Sequence, residues 1–292
     1  MKAAAFAYAR PGSVDDALKL LARHRDRAKL LSGGQSLMPA MNLRLISPEL
    51  VIDIGGIAEL RGIALKGDVL HIGALTRHVD IERSAAIKAH APLLAEAVAH
   101  IAHPAIRNRG TLGGSLAHAD PAAELPACML ALGASFVVRR NGGERQIAAV
   151  DFFRGIFQTV LSAEDLLVAV EVPVVPRGWH FFHEFARRQG DYAIAGLAAR
   201  AVVDSGTFAD LRLAFFAVGD RPVLAGGAAR QLLNRAVTPT LLSQGCEALS
   251  QDLDPQDDQQ ASGSMRLHLA SVLLARCVAR LLGRPDLAEV AA

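Results

Sequence analysis

Apolar and polar positions alternate with two different periods along this chain. Phe6 to Ala9 reads as a short strand that ends at the Pro11-Gly12 turn. Behind Ser13, the residues Val14, Ala17, Leu18 and Leu21 recur at helical spacing, with Asp15 and Asp16 where the first turn favours negative charge. Ala28 to Leu31 and Leu50 to Ile54 are further strands, separated by a short helix over Met38 to Leu45 with Pro39 early in it. This alternation predicts a βαβαβ unit with a parallel sheet. The pattern then changes. Leu60 to Leu65 and Val69 to Gly73 form a hairpin across Lys66-Gly67-Asp68. Helices are expected from a Thr76 cap to Glu82, over Pro92 to Ile101, and over Ala122 to Leu132. Phe136 to Arg140 and Glu144 to Ala148 pair across Asn141-Gly142-Gly143, and Leu166 to Val172 is a strand stopped by Pro173.

Pro173 to Gly178 has the composition of a linker. After it, His180 to Arg188, Ala195 to Val203 and Leu211 to Val218 read as antiparallel strands, the last two joined at Asp204-Ser205-Gly206. Helices follow over Ala225 to Asn234, Pro239 to Leu249 and Ser264 to Leu282, with the polar stretch Gln251 to Ser262 expected as a mobile loop. The expected fold is α+β, divided at 1–55 (small α/β unit), 56–176 (larger α+β unit) and 177–292 (antiparallel strands and helices).

Composition narrows the function classes. The chain has 292 residues, 51% hydrophobic and 21% charged, as in an ordinary folded protein. A net charge of +2 and 5% aromatic residues give no footing for nucleic acid. No apolar run is long enough to span a bilayer, and Ala3 to Ala9 reads as a first strand rather than a signal segment. Cys128, Cys246 and Cys277 are far apart and fit a reducing cytoplasm. Three such cysteines do not make an iron–sulfur site, and His100, His103 and His118 lack a metal-ligand pattern.

Two glycine-rich loops about eighty positions apart carry the chemistry: Lys29-Leu30-Leu31-Ser32-Gly33-Gly34-Gln35-Ser36-Leu37 and Arg109-Gly110-Thr111-Leu112-Gly113-Gly114-Ser115-Leu116. Glycine lets backbone N–H groups approach and converge on an anion. Either loop alone is better read as a tight turn; the pair points to a ligand with two phosphates. Neither is a G-x-G-x-x-G or a P-loop. Asp120 and Glu124 are acidic candidates for a ribose hydroxyl or a polar ring, with a capping aspartate and a solvated first-turn glutamate as the equal alternative. Ser115, His118 and Asp120 are too close in sequence to be read as a triad. Tyr192, at a strand break, is either packing or a stacking platform for a flat ring.

The blocks Gly33-Gly34-Gln35-Ser36-Leu37-Met38-Pro39, Ile106-Arg107-Asn108-Arg109-Gly110-Thr111-Leu112-Gly113-Gly114-Ser115, His118-Ala119-Asp120-Pro121 and Gly190-Asp191-Tyr192-Ala193 resemble the FAD-binding medium subunits of molybdenum hydroxylases. The resemblance, to carbon monoxide dehydrogenase and xanthine dehydrogenase types, covers nearly the whole chain. It implies a PCMH-type FAD-binding fold followed by a C-terminal antiparallel sheet with helices. It implies FAD against Lys29, Leu31, Ser32, Gly33, Gly34, Gln35, Ser36 and Leu37 in the first loop, and Gly110, Thr111, Gly113, Gly114 and Ser115 in the second. Residues 32–36 and 111–115 would hold the pyrophosphate by their N–H groups. His118, Asp120, Glu124, Leu167 and Asp191 complete the implied contacts, with Tyr192 over the isoalloxazine. Many members have Asp at the position of Glu124. Ala186 falls where xanthine dehydrogenase-like members have a lysine, which argues against their style of NAD use. No residue of the chain is itself catalytic in this reading, and no metal is bound. A large partner subunit would carry the molybdenum–pterin and a small one the [2Fe–2S] clusters, in a dimer of heterotrimers in the cytoplasm. A non-catalytic FAD- or nucleotide-binding assembly subunit is the alternative, and a self-contained flavin oxidase ranks last.

Overall fold

The computed structural model describes residues 2–291 as three units with shared packing. The first contains β1 (Ala7–Ala9), α1 (Val14–His24), β2 (Ala28–Leu31), α2 (Leu37–Asn42) and β3 (Leu50–Asp53). Its sheet is parallel in the order β1-β3-β2, as the alternation predicts. The Ser13 hydroxyl accepts the Asp16 N–H at 3.2 Å and starts α1. Val14, Ala17, Leu18 and Leu21 are then all buried on one face, each larger side chain contributing about 1.5–3 kcal/mol.

The second unit runs through β4 (Ile63–Lys66), β5 (Val69–Gly73), α3 (His78–Arg83), α4 (Ala85–His90), α5 (Pro92–Val98), α6 (Pro104–Arg107), α7 (Leu112–His118), α8 (Glu124–Leu132), β6 (Ser135–Arg140), β7 (Gly143–Ala148), β8 (Phe153–Gly155), β9 (Gln158–Thr159) and β10 (Leu166–Pro173). Its five-stranded antiparallel sheet has the order β4-β5-β10-β6-β7. β10 is buried on both faces. Leu166, Val168 and Ala169 join the core of the first unit, whereas Leu167, Val170 and Val172 join the core under α7 and α8. Consecutive residues Val168 and Ala169 share a side because the β10–β6 register shifts between Leu167 and Ala169, as a bulge requires.

Two expectations are corrected here. Thr76 does not cap α3; Arg77 occupies that position, and the Thr76 hydroxyl donates instead to the Gly62 carbonyl at 3.2 Å. The second glycine loop is not a turn throughout: Gly113 and Gly114 lie in the first turn of α7, capped by Thr111. A Gly-Gly pair is a poor helix signal, and packing overrides it, because a Cβ on Gly113 would stand 2.6 Å from the Ala74 Cβ.

The third unit comprises β11 (Gly178–Ala186), β12 (Ala193–Asp204), β13 (Thr207–Phe216), β14 (Val223–Leu224), α9 (Gly226–Leu232), α10 (Pro239–Asp252) and α11 (Gly263–Leu282). Its sheet is antiparallel in chain order. One face carries the helices; Ala198, Ala214 and Phe216 join the core of the second unit. Arg212 donates to the Leu130 carbonyl at 3.1 and 2.9 Å, closing the end of α8 from β13. The stretch after α10 is tied down: Asp258 Oδ1 accepts from the Gln260 and Ala261 N–H groups, and its Oδ2 pairs with Arg266 at 2.6 Å.

Candidate functional site

The two glycine loops meet. β2 ends at Leu31 and releases the first loop at the sheet edge; the bridge between Arg77 and Thr111 holds the second beside it. The Thr111 hydroxyl donates to Ser32 Oγ at 3.1 Å and also accepts the Gly114 N–H at 3.2 Å. A Cβ on Gly33 would overlap the Arg109 carbonyl and lie 2.9 Å from Gly110 Cα. One on Gly114 would lie 2.7 Å from Thr111 Oγ1 and 2.8 Å from Ser32 Oγ. Gly34 has φ +73°, a conformation that glycine adopts without strain.

The backbone donors divide unequally between the loops. In the second, Leu112, Gly113, Gly114 and Ser115 already donate to Thr76 O, Ala74 O, Thr111 Oγ1 and Thr111 O. Among the described residues, the N–H groups of Gly33, Gly34, Gln35, Ser36 and Thr111 donate to no protein atom. They are the donors left for an anion. The Gln35 amide folds back and donates to the Gly33 carbonyl at 2.9 Å, occupying that acceptor.

A cleft of about 520 Å³ opens over these groups. It is lined by Leu31, Ser32, Gly33, Gly34, Gln35 and Thr111 from the expected set. It is also lined by Arg109, which opens the second loop, and by residues that spacing did not reveal: Arg10, Arg61, Arg77, Asp53 and Gly55 among them. Four arginines among the lining residues, beside free N–H donors, suit a diphosphate, with Arg10 near Asp53 and Arg61 donating to the Gly55 carbonyl. Asp53 organises the far wall, accepting from the Tyr8 hydroxyl at 2.5 Å and from Gly55 N–H at 2.8 Å, with Arg10 at 3.7 Å. Lys29 is exposed on β2, and Ser36 and Leu37 start α2. Gly110 packs on His78, whose ring is buried with neither nitrogen partnered among the described residues. Burial lowers its pKa to about 4, so His78 is neutral.

The remaining expected residues form a second cluster where the units join. His118 ends α7 and stacks on Phe157 at 4.8 Å, and burial lowers its pKa. Asp120 Oδ1 accepts the Ala122 N–H at 2.9 Å in the turn before α8; the N-cap of that helix is Ala123, so Asp120 is not the helix cap that spacing allowed. Glu124 opens α8 and is half-buried; burial, and then the nearby Glu184, push its pKa up to about 8. This differs from a solvated first-turn glutamate. Leu167 is buried on the α7 and α8 side of the sheet. Gly190 turns the β11–β12 connection against Ala102 and presents Asp191 and Tyr192. Tyr192 is 63% exposed, and its hydroxyl pKa is raised by burial, then by Asp120, Glu124 and Asp191. An exposed aromatic beside a carboxyl cluster is available to a flat ligand. Among the described residues no helix is long and apolar enough to cross a membrane.

Residues 4–175 match the family described as the FAD binding domain in molybdopterin dehydrogenase, and residues 180–281 match the CO dehydrogenase flavoprotein C-terminal domain. The chain is 38% identical over 283 residues to the caffeine dehydrogenase subunit beta of Pseudomonas sp. (strain CBB1), covering 96% of each. It is 36% identical over 274 residues to the carbon monoxide dehydrogenase medium chain of Hydrogenophaga pseudoflava, covering 94% of this chain and 96% of that one. Among solved structures, a reconstituted CO dehydrogenase from Oligotropha carboxidovorans superposes with a TM-score of 0.94 at 32% identity, covering 97% of this chain and 100% of that chain.

Proposed function

The chain belongs to the family of FAD-binding medium subunits of molybdenum hydroxylase-type dehydrogenases, and from that premise we propose that it carries electrons from the [2Fe–2S] clusters of a small partner subunit, through FAD, to an external acceptor. The observation that carries the reading is the contact of the two glycine loops through Ser32 and Thr111, with free N–H groups at Gly33 to Ser36 and four arginines around them.

In this reading the first loop and the Thr111 N–H bind the pyrophosphate. Gly33 and Gly114 act by allowing close packing of one loop on the other, and Gly113 by letting α7 sit against Ala74. The Arg10, Arg61, Arg77 and Arg109 side chains balance the phosphate charge. Glu124, Leu167, Asp191 and Tyr192 line the flavin end. FAD supplies the conversion between one-electron donors and a two-electron acceptor. A large subunit with the molybdenum–pterin would act on the substrate, so substrate choice lies outside this chain. The assembly would be a cytoplasmic dimer of heterotrimers.

The test is rapid mixing of substrate with the co-expressed complex while flavin absorbance is followed. Flavin bleaching after iron–sulfur reduction is expected. A bound flavin that the reduced partners never bleach would overturn electron transfer and leave the non-catalytic assembly role.

A further inference from the structure

We propose that Arg266 is a positioning residue, whose buried guanidinium fixes the spacing between the turn that carries Tyr192 and the turn that carries Asp120. Its role rests on the reading above that these two turns line the flavin end. Arg266 lies near the start of α11 and is 5% exposed. Its Nη1 donates to the Ile194 carbonyl at 2.6 Å and to the Ala217 carbonyl at 2.8 Å. Its Nη2 pairs with Asp258 Oδ2 at 2.6 Å, and Nε is left without a partner among the described residues. One nitrogen therefore ties the start of β12 to the residue that follows β13.

Each of the two carbonyls belongs to an irregular piece of backbone. β12 pairs with β11 through Ala195–Phe185 and then Ala193–Ala186, so Ile194 is the extra residue of a bulge. A bulge re-aims the chain beside it, and Tyr192 lies two residues before this one. Ala217 has φ +60°, a left-handed conformation that is unfavourable for a residue with a Cβ. Such a conformation persists only where the surroundings hold it. Here both backbone groups of Ala217 are held: its N–H donates to the Pro121 carbonyl at 2.9 Å, and its carbonyl accepts from Arg266. Pro121 directly follows Asp120 and stands three residues before Glu124. From Asp258 the hydrogen-bond chain runs to Arg266 and forks there. One arm reaches the Tyr192 turn through Ile194, and the other reaches the Asp120 turn through Ala217.

A buried charge is unfavourable, and an apolar side chain of similar volume packs a helix at least as well. What the guanidinium adds is direction, because its planar donors hold two acceptors in a fixed fork. Neither turn lines the cleft over the glycine loops. Loss of the clamp therefore loosens the Tyr192 and Asp120 turns and leaves the glycine loops as they are.

Amide hydrogen exchange is measured on the full chain without FAD. Flavin circular dichroism is recorded with FAD bound, in the chain or in the co-expressed complex. In Arg266→Gln, exchange at the Ala217 amide and across residues 190–194 should rise about tenfold above the rest of the third unit, with both glycine loops unchanged. The dichroism of the bound flavin should change with it. Leu273→Ala, in the core packed under the same helix, is the control for lost stability alone. Its exchange should rise evenly over the third unit, and its flavin dichroism should match wild type. Asp258→Ala, which frees Nη2 from an exposed partner, gives the same local pattern at about threefold and decides the matter if Arg266→Gln does not fold. Exchange that rises evenly in the clamp variants would overturn the proposal, as would wild-type flavin dichroism despite faster local exchange. Failure of the wild-type chain and the assembled complex to take up FAD would overturn the flavin reading and, with it, what the clamp positions. That outcome is distinct from a failure of the clamp, in which FAD binds and the variants do not disturb it.

Discussion

Gly33→Ala places one methyl group where the two loops touch. Its neighbours are all backbone: the Arg109 carbonyl oxygen, Gly110 Cα at 2.9 Å and the Arg109 carbonyl carbon at 3.0 Å. None can rotate away. Ordinary contact begins at 3.4 Å, so clearing Gly110 Cα alone parts the loops by about 0.5 Å, and the nearer Arg109 oxygen requires more. The Ser32–Thr111 hydroxyl bond, at 3.1 Å, then lengthens to at least about 3.6 Å, beyond a working hydrogen bond. Overpacking of this kind costs about 1–3 kcal/mol, and the lost bond adds about 1 kcal/mol. Without ligand the loops relax by opening. Ligand binding must close them, so most of the loss falls on affinity. A penalty of about 2 kcal/mol weakens FAD binding about thirtyfold. The assay is fluorescence titration of FAD with the apo chain, beside a thermal melt of each variant. Gly12→Ala, with nothing within 4 Å of its added methyl, is the matched control. FAD affinity equal to wild type in Gly33→Ala would refute the claim that loop contact builds the site.

Thr111→Ala removes the cap of α7 and the bridge to Ser32, and should lower stability by about 1 kcal/mol in denaturant melts, with Thr111→Ser restoring it. Tyr192→Ala should change the flavin spectrum or its reduction rate while shifting stability by less than about 0.5 kcal/mol, because the ring is 63% exposed. Half-buried Glu124 and buried His78 set opposite pH dependences without ligand. Glu124, raised to about 8, stabilises the fold fully below its unfolded value near 4.5, and that contribution is lost as pH rises through 8. His78, lowered to about 4, stabilises the fold above its unfolded value near 6.5, and that contribution is lost as pH falls through 4. Melting temperature measured across this range should therefore fall less steeply toward alkaline pH in Glu124→Gln than in wild type.

The first unit is legible because its signals are local. Ser13, the two aspartates and four apolar residues at helical spacing define α1, and short apolar runs define the strands around it. The antiparallel third unit is equally plain, since Asp204-Ser205-Gly206 turns β12 into β13. What was hidden depends on contacts between distant segments. α7 contains two glycines in its first turn, and only packing on Ala74 explains the first of them, Gly113. The bulge in β10 follows from burial on two faces, which periodicity cannot distinguish from a continuous strand. Arg10, Arg61 and Arg77 converge on the cleft from three separate segments, with nothing in their local sequence to mark them. Glu184 lies in an apolar strand, and its pairing with His100 at 3.4 Å depends on docking of the third unit onto α5. The glycine loops themselves were visible, but not the division of labour between them: one loop keeps its N–H groups free, and the other uses its own to hold α7.

The most direct test of the account is the absorbance spectrum of the chain after incubation with FAD, alone and within its co-expressed complex, with the released cofactor identified by chromatography. A two-banded flavin spectrum that yields FAD on release is the predicted result. The absence of bound flavin from both the chain and the assembled complex would contradict it.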